Sequence, residues 1–372
     1  MRIILAVLAC LAACSATPAQ GPEATLAEIQ KVYAAKQAKA AAIQVRWNTE
    51  RFIPKGSYQR DAKTMAVKGD TSIHPPEDSR ITGRSNLLFV GTRFQYEYSD
   101  RTWDYKGKVF APQNYLAAYD GKKGISRFMI PHLFPKPSVN ERAPGAETDD
   151  LNDLEILPIT FALRGNDGAV CRDPLETYEL TGRRVPIPTG NGLELVKLIR
   201  SANLTQRIVL DPQKEYVLVR YSHEGNGAVM AQFDVQSEKH PEYGWLPSSW
   251  KLVTRKKNAI SGTFEGKQVT YEAADAATNV MPKYEGGTRV FDMREATEMV
   301  HEVLPDGTDG PTIARSDLHR PEDLLPKPYR LWRSPWLYVG VGAGVVFATA
   351  YFVRVRRKRR DSTATDSTTT DA

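Results

Sequence analysis

The histidines of this chain lack the spacing that a local catalytic metal site requires. Zinc hydrolases carry two histidines four residues apart on one helix face, with a glutamate between them. No two of the six histidines lie that close: His74, His132, His223, His240, His301 and His319. The Gly-x-Ser-x-Gly, Walker and Cys-x-x-Cys motifs are also absent from the sequence. These observations predict a protein that is not an enzyme, with no catalytic residue, metal or cofactor.

A cluster of carboxylates precedes an apolar segment of the chain: Glu147, Asp149, Asp150, Asp153 and Glu155. A calcium site would need several of these oxygens to converge on one point. Carboxylates are also stabilised at the N-terminus of a helix, where the helix dipole is positive. Because a helical pattern follows over residues 150–163, we favour a solvated helix cap.

The N-terminal residues are typical of a secretory signal peptide, predicted over residues 1–20. Arg2 precedes an apolar run, 3–13, which is too short to span a bilayer and ends in small residues. The segment Leu11-Ala12-Ala13-Cys14 also resembles a bacterial lipobox, in which the Cys14 thiol carries lipid. Cleavage after Ala16 or Ala19 is the alternative.

Disulfide bonds are not expected to stabilise the domain. Of the three cysteines, Cys10 leaves with the signal peptide, so Cys171 has no partner other than Cys14. We expect Cys171 to be a small buried apolar residue.

A second apolar run, residues 336–353, predicts a transmembrane helix. Its eighteen residues carry no charge, and a helix of that length covers ~27 Å, close to the thickness of the hydrocarbon layer. Aromatic residues at both edges, Trp336, Tyr338 and Tyr351, suit the two membrane interfaces. Small residues recur every fourth position: Gly340, Gly344 and Ala348. This spacing lets two helices approach closely, although an uninvolved glycine-rich span is the simpler interpretation.

Basic residues follow this run directly, among them Arg354, Arg356 and Arg357. They predict a cytoplasmic tail, 354–372, which touches membrane lipid and ends in disorder. The tail contributes six cations and three anions, and Arg2 leaves with the signal. The formal charge of the whole chain is +6. Without the net +3 of the tail and the +1 of Arg2, the outer part keeps about +2, so no nucleic-acid partner is predicted.

The region between the two apolar runs alternates like a β-sheet after one opening helix. Thr25 and Glu28 form a capping-box pattern, and the helix continues to about Ala42. The period then changes to two over residues 43–51, and again in later segments such as 94–98 and 229–235. Such alternation predicts an antiparallel sheet with one covered face. Helical candidates cover residues 150–163 and 192–199, and the second of these equally fits a strand.

The predicted fold class is therefore α+β and β-dominated. It consists of a large curled antiparallel sheet, or half-barrel, with the N-terminal helix and short helices over one face, plus one C-terminal transmembrane helix. The β-rich domain covers residues 22–303, and the proline-rich segment 304–335 is predicted to be a stalk.

This pattern resembles the LolA/LolB-like fold of periplasmic lipoprotein carriers. The resemblance covers residues 22–285 and rests on the opening helix, the strand 43–53, the aromatic strand that ends at Tyr98, and three later segments: 119–121, 210–221 and 244–250. A curled sheet with helices across its mouth forms an apolar cavity, for which the candidate residues are Trp47, Phe94, Tyr96, Tyr98 and Trp250. Aromatic residues in a β-rich domain more often pack in the core or at an edge.

The resemblance implies an extracytoplasmic binding protein for lipid, lipoprotein or another apolar ligand. The predicted anchor departs from a freely moving carrier, so we expect a fixed receiver or sensor in a bacterial cell membrane, with its main domain in the periplasm. The first alternative is an envelope assembly protein that contacts other envelope proteins through a sheet edge. A hydrolase with dispersed residues is the third hypothesis.

Overall fold

The computed structural model describes residues 25–55, 77–104, 108–129, 137–142, 153–168, 170–171, 173–256, 259–294 and 297–318. The chain divides into two compact units. The first unit contains the chain up to Pro135 and again from Arg142 to Pro282. The second unit contains Lys136–Glu141 and the chain from Lys283 onward. The predicted signal peptide and Cys14 lie outside the described residues.

Helix α1, Leu26–Lys39, begins with the predicted capping box. The Thr25 backbone N–H donates to Glu28 Oε2 over 2.8 Å, and the Glu28 N–H donates to Thr25 Oγ1 over 3.3 Å. These reciprocal bonds satisfy two donors that the first turn would otherwise leave unpaired. The helix buries Ile29, Tyr33 and Lys36 against the sheet side of the unit.

Twelve antiparallel strands of the described residues form the sheet of the first unit. In chain order they are β1 (Ala42–Ile53), β2 (Ser79–Val90), β3 (Arg93–Asp104), β4 (Val109–Tyr119), β5 (Gly124–Met129), β7 (Glu179–Ile187), β8 (Gly190–Ile199), β9 (Leu204–Asp211), β10 (Val217–Gly225), β11 (Ala228–His240), β12 (Gly244–Lys256) and β13 (Ala259–Ala273). Their spatial order is β5-β4-β3-β2-β1-β13-β12-β11-β10-β9-β8-β7. β1 therefore lies between β2 and β13. Residues 192–199, whose sequence pattern fits either a helix or a strand, belong to strand β8.

The two faces of this sheet differ as the alternation predicted. On β1, Ile43, Val45 and Trp47 are buried, whereas Arg46 and Asn48 are exposed. Register extends each face across neighbouring strands, because residues that pair directly point to the same side. We call the side of Ile43 and Trp47 the covered face, and the side of Arg46 and Asn48 the polar face.

Helix α2, Leu157–Arg164, is short and buries all eight of its residues. It packs against α1, where the rings of Phe161 and Tyr33 meet edge to face with 5.4 Å between their centroids. Its last residue, Arg164, donates from Nη2 to the Ala40 carbonyl over 2.9 Å and stacks its guanidinium 4.4 Å from the Phe89 ring centroid. The helix begins later than the sequence pattern indicated, because residues 153–156 form a turn.

The second unit contains four short strands among the described residues: β6 (Ser138–Arg142), β14 (Arg289–Asp292), β15 (Met299–Glu302) and β16 (Ile313–Ala314). β14 pairs with β6 in parallel and with β15 antiparallel, and β16 pairs with β15. The sequence assigned residues from 304 onward to a stalk. In the structure, Leu304 is buried and residues 313–314 pair within this unit.

The fold-class prediction is wrong in its last element, the transmembrane helix. α1 has fourteen residues, four of them lysine or glutamate, and α2 has eight residues. No helix of the described residues is long and apolar enough to cross a membrane. The segment predicted to span, 336–353, and its flanking residues Trp336, Tyr338, Tyr351, Arg354, Arg356 and Arg357 lie outside the described residues. A single-pass membrane anchor is therefore not retained.

A substitution at Gly266 tests the packing of the covered face. A Cβ atom at Gly266 would overlap the Trp250 indole, which lies directly opposite on β12. Since overpacking a filled core costs about 1–3 kcal/mol, we expect Gly266→Ala to lower the free energy of unfolding by about 2 kcal/mol. Urea titration of the full chain measures this change.

Gly262→Ala on the same strand is the matched control. A Cβ at Gly262 meets its nearest atoms at 3.4 and 3.5 Å, which is ordinary contact. We expect its free energy of unfolding to stay within about 0.5 kcal/mol of the parent or to rise. Equal losses for the two variants would show that the indole does not occupy this space.

Lys36 predicts a pH dependence of stability. Burial lowers the pKa of its ammonium to about 8, although Glu215 acts in the opposite direction. The unfolded chain holds this proton up to pH ~10.5, so between these values the folded state binds fewer protons and stability rises with pH. Relative to Lys36→Met, the parent should gain about 3 kcal/mol in free energy of unfolding from pH 7 to pH 10.5. If the difference in free energy of unfolding between the parent and Lys36→Met stayed constant over this pH range, the lowered pKa of Lys36 would be contradicted.

Candidate functional site

The five aromatic residues predicted to line a cavity all belong to one cluster on the covered face. Trp47 stacks on Tyr96, with 6.2 Å between centroids and 10° between planes, and lies 5.8 Å from Trp250. Tyr98 continues the row 5.9 Å beyond Tyr96. Phe94 is fully buried in the same cluster. These side chains pack mainly on one another, and only Tyr98 is half-buried.

Small residues opposite the large ones let the rings come together. Ser85 on β2 pairs with both Trp47 on β1 and Tyr98 on β3. Gly266 on β13 pairs with Trp250 on β12. Each large ring can therefore lean over a small cross-strand neighbour. The strand alternation predicted which aromatic residues share this face, but the small partners follow only from the register.

An ion pair lies at one end of this aromatic cluster. Arg51 follows the inward parity of Trp47 on β1, and its Nη2 lies 2.6 Å from Glu155 Oε2 and 4.0 Å from Asp100 Oδ2. The Trp250 indole N–H donates to the Glu155 carbonyl over 2.8 Å. The turn 153–156 before α2 is thus held onto the sheet through both the side chain and the backbone of one residue.

Burial raises the pKa values of the two carboxylates next to Arg51. Burial raises the pKa of Glu155 to about 8; Asp153 acts in the same direction and Arg51 in the opposite one. Burial also raises the pKa of Asp100, against the influence of Arg51 and of the Gln113 hydrogen bond. The helix-cap interpretation of the acidic cluster does not describe Glu155, whose side chain reaches Arg51 instead of solvent. Glu147, Asp149 and Asp150 lie outside the described residues.

A cleft of about 290 Å³ opens beside the ion pair, and we call it the ion-pair cleft. Ile53, Leu252 and Phe264 are buried and provide apolar surface on its sheet side. Arg51 and Glu155 form its inner wall, next to the aromatic cluster. An arginine at an inward position of a strand requires a buried partner, so the position of Arg51 on β1 is the feature of the sequence that indicates this site.

A metal-binding cluster is absent from the described residues. No group of three or more His, Cys, Asp or Glu there could hold a metal ion. His301 pairs with Asp309 at 3.3 Å, and His74, His132 and His319 lie outside the described residues. Cys171 is buried as predicted, and burial raises the pKa of its thiol to about 12. A thiol with this pKa carries almost no thiolate at neutral pH.

No protein-family model and no curated protein matches this sequence. Among solved structures, a DUF1329 family protein from Desulfovibrio piger is similar over 68% of this chain and 94% of its own, at 9% identity and a TM-score of 0.39. A LolA superfamily protein from Nitrosomonas europaea is similar over 66% of this chain and 94% of its own, at 11% identity and a TM-score of 0.34. The second of these structures carries the name of the superfamily that the sequence resembles.

Removal of the Arg51 guanidinium tests the ion pair. Arg51→Met leaves the Glu155 carboxylate without its cation, and we expect the free energy of unfolding at pH 8.5 to fall by about 2 kcal/mol. Arg80→Met is the matched control, because Arg80 pairs with Glu50 at 2.8 Å but is largely exposed. Such a surface pair contributes about 0–1 kcal/mol. Losses of the same size for the two variants would mean that Arg51 has no special structural role.

Proposed function

We propose that this protein is an exported binding protein for the acyl chain of a lipid or lipoprotein, and that it has no catalytic activity. The ion-pair cleft is the observation that carries the proposal. Its lining is half apolar and half polar, with Ile53, Leu252 and Phe264 on one side and the Arg51–Glu155 pair on the other, and it adjoins the aromatic cluster of the covered face. Small-molecule sites commonly combine apolar surface with a few polar groups.

Hydrocarbon is the ligand chemistry that suits this cleft best. A buried methylene group contributes about 0.8 kcal/mol, so the apolar surface of Ile53, Leu252 and Phe264 favours an unbranched chain. Arg51 at the wall suits a carboxylate or phosphate at the end of that chain. The turn 153–156 is held by the Arg51 ion pair and the Trp250 hydrogen bond. We infer that displacement of this turn would lengthen the cleft toward Trp250.

Export is part of the proposal. The predicted signal peptide over residues 1–20 and the lipobox at Cys14 favour a bacterial periplasmic location. The LolA-like resemblance points in the same direction, because the carriers of that family handle lipoproteins in the periplasm. Lipid-anchored Cys14 and a free periplasmic form after cleavage at Ala16 or Ala19 both agree with this location.

An envelope assembly protein is the second candidate. Strand β7 is the edge of the first unit's sheet and is largely exposed, which would suit a partner that adds a strand. However, β7 carries Arg183, Arg184 and Pro186, and its pairing with β8 is irregular between Leu180 and Arg184. Charges, proline and bulges are the devices that prevent strand addition at an edge. We therefore place this function second.

Ligand retention and binding test the proposed function directly. Native mass spectrometry of the full chain, purified from a periplasmic extract and followed by solvent extraction, should show a bound acyl species. The protein should also bind palmitate. In Gly262→Leu, where the cleft has room for a Cβ, the side chain enters the cleft and should weaken palmitate binding about tenfold.

Lys251→Leu is the control for this experiment, because it places the same side chain on the polar face of β12. Its affinity for palmitate should change less than about twofold. A parent protein that carries no extractable lipid and does not bind palmitate would overturn the acyl-chain proposal. In that case, capture of envelope proteins by the same preparation would favour the second candidate.

A further inference from the structure

The polar face of the first unit contains a second concave surface, separate from the ion-pair cleft. Two adjoining cavities of about 690 and 650 Å³ lie on it and share Asn48, Arg84, Ser99 and Gln268. We call the two together the polar trough. The larger cavity reaches from β13 across β1, β2, β3 and β4 to β5. Five strand spacings of ~4.8 Å give a width of ~24 Å, which suits an oligomeric ligand.

Side-chain amides provide much of the polar surface of the trough. Asn48, Asn86, Asn114 and Gln268 come from four different strands. The Asn86 Oδ1 accepts from Gln44 Nε2 over 2.9 Å, and the Asn48 Nδ2 donates to Gln268 Oε1. Each amide both donates and accepts, as a hydroxyl group does. Amides held in place by cross-strand bonds therefore suit a ligand with many hydroxyl groups.

Gln268 occupies a strained position above the trough. Its φ is 54°, in the left-handed region that non-glycine residues rarely adopt. The strain coincides with a β-bulge, because the β1–β13 register shifts between Arg46 and Asn48. A bulge redirects a side chain, and such strain is concentrated at binding sites. Here it directs Gln268 to Asn48 at the centre of the trough.

Arg84 is the cation at the centre of this surface. It pairs directly with Asn48 on one side and Ser99 on the other, and it lines both cavities. Two neighbouring cations have carboxylate partners: Arg46 binds Glu272 at 2.8 Å, and Lys267 binds Glu50 at 3.0 Å. A third, Arg101, donates to the Phe110 carbonyl.

Within the described part of the chain, no carboxylate pairs with Arg84. The three carboxylates that line the trough have other partners: Glu97 accepts from Gln95 Nε2 over 2.6 Å, Glu50 binds Lys267, and Asp100 accepts from Gln113 Nε2. The Arg84 guanidinium is therefore available for an anion, which it can bind through two parallel hydrogen bonds.

We propose that the polar trough binds an acidic oligosaccharide, with a sugar carboxylate on Arg84 and sugar hydroxyls on the surrounding amides. An acidic peptide is the other ligand with the required charge. A peptide on a sheet face finds no free backbone edge to pair with, whereas side-chain amides from four strands line this trough. The amide-rich surface therefore favours the saccharide.

Binding of defined oligomers to the full chain tests this proposal by calorimetry. The probes are a hexamer of galacturonic acid, neutral maltohexaose, and hexaglutamate. We expect the galacturonate hexamer to bind, with an affinity that falls as salt increases. Arg84→Met should weaken that binding at least about tenfold, because the sugar carboxylate loses the cation at the centre of the trough. Ser99→Trp should block the same site by bulk.

Arg220→Met is the control, because Arg220 is an exposed cation on β10, outside the trough, and pairs there with Asp234 at 2.7 Å. Its affinity should stay within about twofold of the parent. Equal binding of maltohexaose, or unchanged binding by Arg84→Met, would overturn the assignment of Arg84. Binding of hexaglutamate alone would identify a peptide site, and failure of all three probes would remove the trough as a binding surface.

Discussion

Strand β1 is the element on which both candidate sites depend. Its odd-numbered residues, including Trp47 and Arg51, build the aromatic cluster and the ion-pair cleft. Its even-numbered residues, including Arg46 and Asn48, line the polar trough. Since a slip of one residue would exchange the two faces, the register of β1 with β2 and β13 fixes both sites together. The long, unbroken pairing of β1 with β2 over residues 42–53 provides that register.

The helices complete the covered face through a buried arginine with an unusual set of partners. Arg164 donates to the backbone carbonyls of Leu163, Ala40 and Gly91, and burial lowers its pKa to about 10. One guanidinium thereby joins the end of α2, the end of α1 and the turn between β2 and β3. This arrangement differs from that of Arg51, whose main partner is a carboxylate. Hydrogen bonds from Arg164 to backbone carbonyls hold the C-terminal end of α2. The turn 153–156 before α2 is held by the Arg51–Glu155 ion pair, in which burial raises the pKa of Glu155.

Local patterns in the sequence predicted the local structure well. The capping box at Thr25 and Glu28, the alternation on β1 and the burial of Cys171 all follow from residues close together in the chain. The long-range features could not be predicted in this way. Arg51 and Glu155 are separated by 104 residues, and the bulge at Gln268 appears only when β13 pairs with β1. The five cavity candidates were grouped on one face by parity, but parity cannot show whether a face is open or filled. In the structure, the covered face is filled by Tyr33, Phe161 and the five candidate aromatic rings.

The position of β1 has a consequence for how the chain acquires its structure during synthesis and export. β1 begins at residue 42, but its neighbour β13 ends at residue 273. Until β13 has been synthesised, β1 can pair only with β2. The other edge of β1 then has unpaired backbone groups that a strand of another chain could bind. The hairpins β2–β5 and β7–β13 can each form early from neighbouring segments, whereas the union of the two halves is among the most distant contacts in the first unit. Such a step is slow, and an unfinished chain is exposed to aggregation meanwhile. A chaperone that binds the unpaired edge of β1 would therefore prevent aggregation most effectively in the period before β13 is complete at residue 273.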